Sequence, residues 1–163
     1  LNAKAVKALD EQRKAGELPA EVARVYDDLK KLGYAPDAAN TNIGSAIFAN
    51  KPGDGSAREQ AASCQRVLGA GANIVNEYAT KRYRSNLINW GMLPFQLNGA
   101  APFGLGDYIL IPHVREALKG DLQNIPAYVL GEEVKPFALY MAPLTADERQ
   151  ILADGCLINF YKH

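Results

Sequence analysis

Charge of one sign is what this chain lacks most plainly. Lys plus Arg number 18 and Asp plus Glu number 18, so the formal net charge is zero. A general nucleic-acid binder needs a basic excess to neutralise phosphates, and the balance argues against that class of partner, RNA included. Cysteine is also scarce. Cys64 and Cys156 form no C-x-x-C and no close pair, which excludes a disulfide scaffold and makes a reducing cytoplasm the default. No apolar run approaches the roughly 20 residues that a membrane span needs. The first ten residues lack the charged-then-apolar order of a signal peptide. Neither of the two histidines, His113 and His163, has a partner at metal-ligand or triad spacing, and His163 is expected to be a loose end. The chain begins with Leu1 and holds only Met92 and Met141, so it is expected to be part of a longer protein.

What is present describes one folded unit. The chain has 163 residues, of which 48% are apolar and 22% charged. A domain of this size buries roughly 70% of its unfolded surface. Residues 2–32 read as helical, split in two at Gly16. In the second half Val22, Val25, Tyr26, Leu29 and Leu32 recur at helical spacing, with Asp27, Asp28, Lys30 and Lys31 on the other face. Pro19 suits the first turn and Gly33 the stop. Residues 1–33 are therefore expected to be a helical arm or linker, and 34–163 the domain proper.

From Tyr34 onward short strands and helices alternate, which says α/β. Strands are predicted over 43–49, 72–75, 93–97 and 107–112, and helices over 57–68 and 78–90. A short helix or turn is predicted around 114–118. Residues 125–130 and 134–141 are predicted to form a hairpin around Gly131. A final helix over 145–153 opens on Thr145 and Glu148, spaced as a capping box, and stops at Gly155.

The stretch most informative about chemistry is Gly53-Asp-Gly-Ser-Ala-Arg-Glu59. A strand, a glycine turn and a helix start meet there. One reading is purely local: Ser56 as N-cap and Glu59 as its N3 partner, a cap worth about 1 kcal/mol. The other is a site. Glycines let a ligand approach the backbone, free N–H groups at a helix start attract anions, and Arg58 can fork onto a carboxylate or phosphate. A hydroxyl in that field has its alkoxide stabilised, as a proton-abstracting base requires.

Other glycine runs carry less. No Lys-Ser/Thr pair follows the glycines, so this is not a Walker loop. The run from Val67 to Ala72 has dinucleotide-type glycines, but a helix precedes it and a strand follows, the reverse of the required order. Gly104-Leu-Gly106 reads as a turn. Along the helix from Tyr78 to Trp90, Lys81, Arg82, Arg84, Ser85 and Asn86 read either as a solvated basic face or as a polar lining turned toward Ser56 and Arg58. Cys64 and Cys156 read as small buried hydrophobes.

Taken together the motifs resemble the aconitase family. Its swivel domain carries a glycine turn and Gly-Ser-Ser-Arg-Glu, then a helix ending in Leu-Gly. A strand follows, then an Arg-x-x-x-Asn-Leu helix that ends in a Gly-hydrophobic-Leu-Pro strand. Here these read Gly55-Ser-Ala-Arg-Glu59, Leu68-Gly69, Arg82-Tyr-Arg-Ser-Asn-Leu87 and Gly91-Met-Leu-Pro-Phe95. The helix from Thr145 and its stop at Gly155 also resemble that domain's C-terminus. The likeness runs from about Asn42 to the end. Its second motif is worded more like aconitase and related hydratases than like isopropylmalate isomerase small subunits.

The resemblance implies a fold, a partner and a role. The fold is a swivel-type α/β domain with a mixed sheet, open to barrel-like closure and flanked by helices. The role is a hydro-lyase acting on a hydroxy di- or tricarboxylic acid at a 4Fe-4S cluster. Other domains or a large subunit hold that cluster, and this chain binds no metal. Ser56 corresponds to the catalytic base and Arg58 to the arginine that supports the site. Gly55, Ala57 and Arg58 are the substrate-binding positions, with Gly53 and Asp54 completing the cradle. Ala57 stands where the family has a second serine that donates to a substrate carboxylate, which puts citrate in doubt. The family's upstream substrate arginine would lie before Leu1, and neither Arg13 nor Arg24 sits in its motif. A non-catalytic carboxylate-binding or interface module of the same fold is the alternative, and Ala57 is the feature that favours it.

Overall fold

Parallel strands cannot be joined by a tight turn, so a run of short strands separated by helices must wind back over itself. The computed structural model, which describes residues 3–37 and 39–162, shows this arrangement between Ser45 and Gln96. Strands β1 (Ser45–Ala49), β2 (Ala70–Val75) and β3 (Leu93–Gln96) form a parallel sheet in the order β1-β2-β3. Helices α3 (Arg58–Val67) and α4 (Lys81–Asn89) are the crossovers. Ahead of them lie α1 (Ala3–Lys14) and α2 (Ala20–Lys31). After them come β4 (Tyr108–Leu110), α5 (Val114–Lys119), β5 (Ile125–Leu130), β6 (Lys135–Leu139), α6 (Ala146–Asp154) and α7 (Leu157–Phe160). The predicted end at His163 and the start at Asn2 fall outside the described residues.

The second sheet is antiparallel, in the order β4-β5-β6. Its hairpin pairs Ile125 with Leu139 and Val129 with Lys135, around Gly131 as expected. One antiparallel bridge stitches the sheets together: Gln96 N donates to Tyr140 O at 2.7 Å, and Tyr140 N donates to Gln96 O at 2.9 Å. The result is a mixed α/β arrangement. Among the described residues the two sheets meet at this bridge and do not close into a barrel.

Burial follows the sequence pattern. One core runs between the sheets and under α5 and α6, with Ile74, Ile88, Phe95, Leu118, Ile125, Leu139 and Ile151 among its members. Each such side chain contributes roughly 1.5–3 kcal/mol when fully buried. A second core seats the predicted face of α2, Val22, Val25, Tyr26 and Leu29, on Leu130 of β5. A third lies beneath α3 and α4, around Ala62, Tyr83, Leu87 and Met92. Helix α1 is tied on by polar contacts. Asp10 Oδ1 accepts from Arg13 Nη2 at 2.7 Å and from the amide of Ile43 at 3.3 Å, and Lys7 Nζ donates to Val67 O at 3.2 Å.

Three local expectations are corrected. Ser56 is not the N-cap of α3: Ala57 holds that position, with φ −87° and ψ 45°, and no side chain caps the helix. The Ser56–Glu59 capping box therefore does not form, because the chain reaches helical geometry one residue too late for it. The Thr145–Glu148 box does form, with both reciprocal hydrogen bonds. Cys64 is exposed rather than buried. Helix α3 buries Ala62, and a residue two positions on points to the opposite face. Cys156 is half-buried at the start of α7, a helix the sequence patterns did not announce.

Candidate functional site

In open α/β sheets ligands bind beyond the carboxyl ends of parallel strands. The loops leaving β1, β2 and β3 meet at that end, and hydrogen bonds lace them together. The amide of Glu77 donates to Asn50 O at 2.9 Å and that of Ala79 to Pro52 O at 3.0 Å. Asn76 Nδ2 donates to both Leu97 O and Gly99 O at 2.8 Å. The glycine turn that follows β1 is thus held against the loop after β2, which is in turn tied to the loop after β3.

Gly53 is the pivot of that turn. Its φ is +99°, a conformation that disfavours any side chain, and an added Cβ would lie 2.6 Å from Tyr83 Cβ and Cγ. Its carbonyl accepts from Arg58 Nε at 3.1 Å and from Thr80 Oγ1 at 3.4 Å. Thr80 also caps α4 by accepting from the Tyr83 amide at 3.2 Å. The turn is therefore fastened at one carbonyl from the helix that follows it and from the next helix along.

Beyond the pivot, Asp54, Gly55, Ser56 and Ala57 are exposed, and Arg58 is half-buried. Ser56 makes no hydrogen bond among the described residues. The first amide of α3 with a helical partner is Ala61, which donates to Ala57 O at 2.9 Å. The N–H groups before it have no side-chain cap and carry the positive end of the helix dipole. Beside them opens a cavity of about 300 Å³, bordered by Gly53, Gly55, Ala57, Arg58, Gln65 and Tyr83. This is at the small end of ligand-binding cavities. A larger crevice of about 1,020 Å³ runs between α1, the segment after Tyr34 and the sheets, and none of the positions read as functional borders it.

The polar stretch of α4 does not line this site as a group. Arg84 Nη2 donates to Ala142 O and Pro143 O, both at 2.9 Å, and pins the segment before α6. Ser85 turns back to Lys81 O at 3.0 Å, and Lys81 and Arg82 are exposed. What α4 brings to the site is Thr80 and Tyr83. Their one sequence signal was the Thr-x-x spacing ahead of a helix. Nearby Tyr78 is largely buried, and burial, with Tyr83 adjacent, holds its phenol well above the usual range. Among the described residues no three His, Cys, Asp or Glu side chains gather as a metal site. His113 sits at the start of α5 with φ 54°, its ring 5.7 Å from that of Tyr34.

The aconitase C-terminal domain family matches residues 20–100, the segment that holds α2, the parallel sheet and the glycine turn. The crystal structure of 3-isopropylmalate dehydratase (leuD) from Methanocaldococcus jannaschii DSM2661 is similar to this chain at 28% identity and a TM-score of 0.50, covering 77% of this chain and 67% of that one. No curated protein matches the chain. The chain is thus similar to the aconitase family and has the mixed α/β fold of that family's C-terminal domain, the fold shared with the isopropylmalate dehydratase structure.

Proposed function

We propose that this chain is the swivel domain of an aconitase-like hydro-lyase, and that it supplies the base for reversible dehydration of a hydroxy di- or tricarboxylic acid. One observation carries the reading. An exposed hydroxyl, Ser56, stands on a fastened glycine turn at the carboxyl end of a parallel sheet, beside an uncapped helix start, Arg58 and a cavity.

The chemistry asked of these residues is proton removal from a carbon next to a carboxylate. As an alkoxide, Ser56 Oγ takes that proton and returns it in the hydration direction. The uncapped amides of α3 lower the cost of the alkoxide and of the negative charge that develops on the substrate. Arg58 divides its guanidinium. Nε is committed to Gly53 O, and the two Nη groups remain for a substrate carboxylate. Gly55 and Ala57 offer backbone. Ala57 has no hydroxyl to donate, so the carboxylate it faces is held by one bond fewer than in the family pattern, and citrate is not the favoured substrate.

The donor set of this chain does not fit a 4Fe-4S cluster. Cys64 lies exposed on α3 and Cys156 at the start of α7, on different elements, and among the described residues no third ligand gathers with either. The cluster of the family's chemistry is assigned to other domains of the enzyme or to a large subunit, and no step here passes through it. Residues 1–33 are read as the arm that joins this domain to the rest, with α2 docked on the second sheet. No described helix is long and apolar enough to cross a membrane, and the cytoplasm is the proposed location.

The test is turnover of the complete, cluster-reconstituted protein on a panel of hydroxy di- and tricarboxylic acids, with Ser56→Ala alongside. Loss of several orders of magnitude in kcat with substrate still bound supports the base. Equal turnover by the variant removes it. A complete protein with an intact cluster and no turnover on any acid favours the second reading, a non-catalytic carboxylate-binding or interface module, to which Ala57 points.

A further inference from the structure

Beneath the glycine turn lies a group that no motif announced. Tyr83 is 2% exposed, and its ring is the surface on which Gly53 rests. Its hydroxyl lies 3.0 Å from Gln65 Nε2 and 3.0 Å from Asn73 Nδ2. Gln65 belongs to α3, Asn73 to β2 and Tyr83 to α4, so one phenol oxygen joins the two helices that border the cavity to the middle strand of the parallel sheet. Asn73 is fully buried in the middle of the parallel sheet, and Gln65 borders the cavity. A polar side chain placed there is costly unless it is bonded, and here both amides spend a donor on the same oxygen.

We propose that Tyr83 is a positioning residue for the base assigned above: the ring sets the height of Gly53, and the hydroxyl fixes the ring. The inference rests on the reading of Ser56 as base, and it concerns how that serine is aimed. Arg58 and Thr80 hold the Gly53 carbonyl from the sides, while Tyr83 holds the same residue from below. With Gly53 so fixed, the short exposed path through Asp54 and Gly55 to Ser56 starts from a held point. Displacement of a reacting group by about 1 Å can cost about 100-fold in rate, so a support of this kind has kinetic weight.

The experiment compares Tyr83→Phe, Tyr83→Leu and Gly53→Ala in the complete protein, with Ser56→Ala as reference. Tyr83→Leu removes the ring and is expected to lower kcat about 100-fold while KM stays within about twofold. Tyr83→Phe keeps the ring but loses the hydroxyl that fixes it, and is expected to lose about tenfold in kcat. Gly53→Ala is expected to lose activity on its own, because the added Cβ meets Tyr83 Cβ and Cγ at 2.6 Å in a backbone conformation that already disfavours a side chain. Hydrogen exchange of the peptide 76–80, whose amides at Glu77 and Ala79 clamp the turn, is expected to speed about tenfold in Tyr83→Leu. Wild-type kcat and exchange in Tyr83→Leu overturn the proposal, as does a rise in KM that matches the fall in kcat. If Tyr83→Leu does not fold, Tyr83→Phe decides: wild-type kcat and exchange in that variant overturn it. If Ser56→Ala turns over normally, the base assignment falls, and unchanged exchange in the Tyr83 variants would then also remove the support.

Discussion

Asp10 Oδ1 accepts a hydrogen bond from the backbone N–H of Ile43 at 3.3 Å, across 33 positions of sequence. This contact joins α1 to the approach of β1. The same carboxylate pairs with Lys14 and Arg13, each at 2.7 Å.

Burial alone would raise the Asp10 carboxyl, but hydrogen bonds from Lys14, Arg13 and Ile43 outweigh it and hold it below the ordinary range. A group whose folded pKa is depressed adds stability above its unfolded value, about 3.9, and loses it as pH falls through the folded value. Helix α1 is therefore expected to loosen selectively as pH drops below about 4. Hydrogen exchange over 5–14 as a function of pH checks this. Asp10→Asn should show the loosened pattern already at neutral pH, and identical protection in that variant would contradict the assignment.

Gly91, with φ 71°, closes α4 where the chain passes the C-terminal stop of α6, and a Cβ there would overlap the backbone carbonyl of Gly155. Backbone on both sides leaves no flexible side chain to yield. Gly91→Ala is expected to destabilise the domain by about 3 kcal/mol, combining a disfavoured φ with overpacking. For a chain of this size that is a fall in Tm of roughly 6–12 °C, read by calorimetry. An unchanged Tm would mean that the two helix ends sit further apart.

Ala57→Ser restores the hydroxyl of the family pattern at the mouth of the cavity. It is expected to move substrate preference toward acids with an additional carboxylate, by about tenfold in relative kcat/KM, the worth of one added charge-assisted hydrogen bond. The acid panel used for wild type measures it. No shift in preference would place that carboxylate elsewhere.

Arg58→Lys keeps the charge and loses the fork. A lysine cannot bond Gly53 O and a carboxylate at once with fixed geometry. The expected outcome is a fall of about 100-fold in kcat/KM with a folded protein, checked by steady-state kinetics and circular dichroism. A near-wild-type lysine variant would reduce Arg58 to a source of positive charge.

What the sequence disclosed depended on how local the signal was. The helical stripe from Val22 to Leu29, the hairpin around Gly131 and the Thr145–Glu148 box each depend on neighbours within a few residues, and each was legible. The Ser56–Glu59 spacing met the same rule and still failed, because the turn around Gly53 is set by Arg58, Thr80 and Tyr83 rather than by a cap. The positions of the candidate site could be read from the glycine turn, while its support could not. Tyr83 looks in sequence like one more apolar member of α4, and only the fold brings it under Gly53 and beside Asn73 and Gln65. Cys64 was misplaced for a related reason: on a helix that buries little beyond Ala62, burial depends on which neighbour packs there, and a residue's chemistry does not reveal that.

The parallel sheet and the groups bonded to the glycine turn lie within one uninterrupted stretch, Ser45 to Gln96, whereas the antiparallel sheet joins it later in the chain, through the Gln96–Tyr140 bridge and the core the two sheets share. On a ribosome the site-bearing half therefore emerges whole before its antiparallel companion has been made. The nascent chain can wind β1, α3, β2, α4 and β3 from contacts between near neighbours in sequence, and the later hairpin arrives to a surface already laid down.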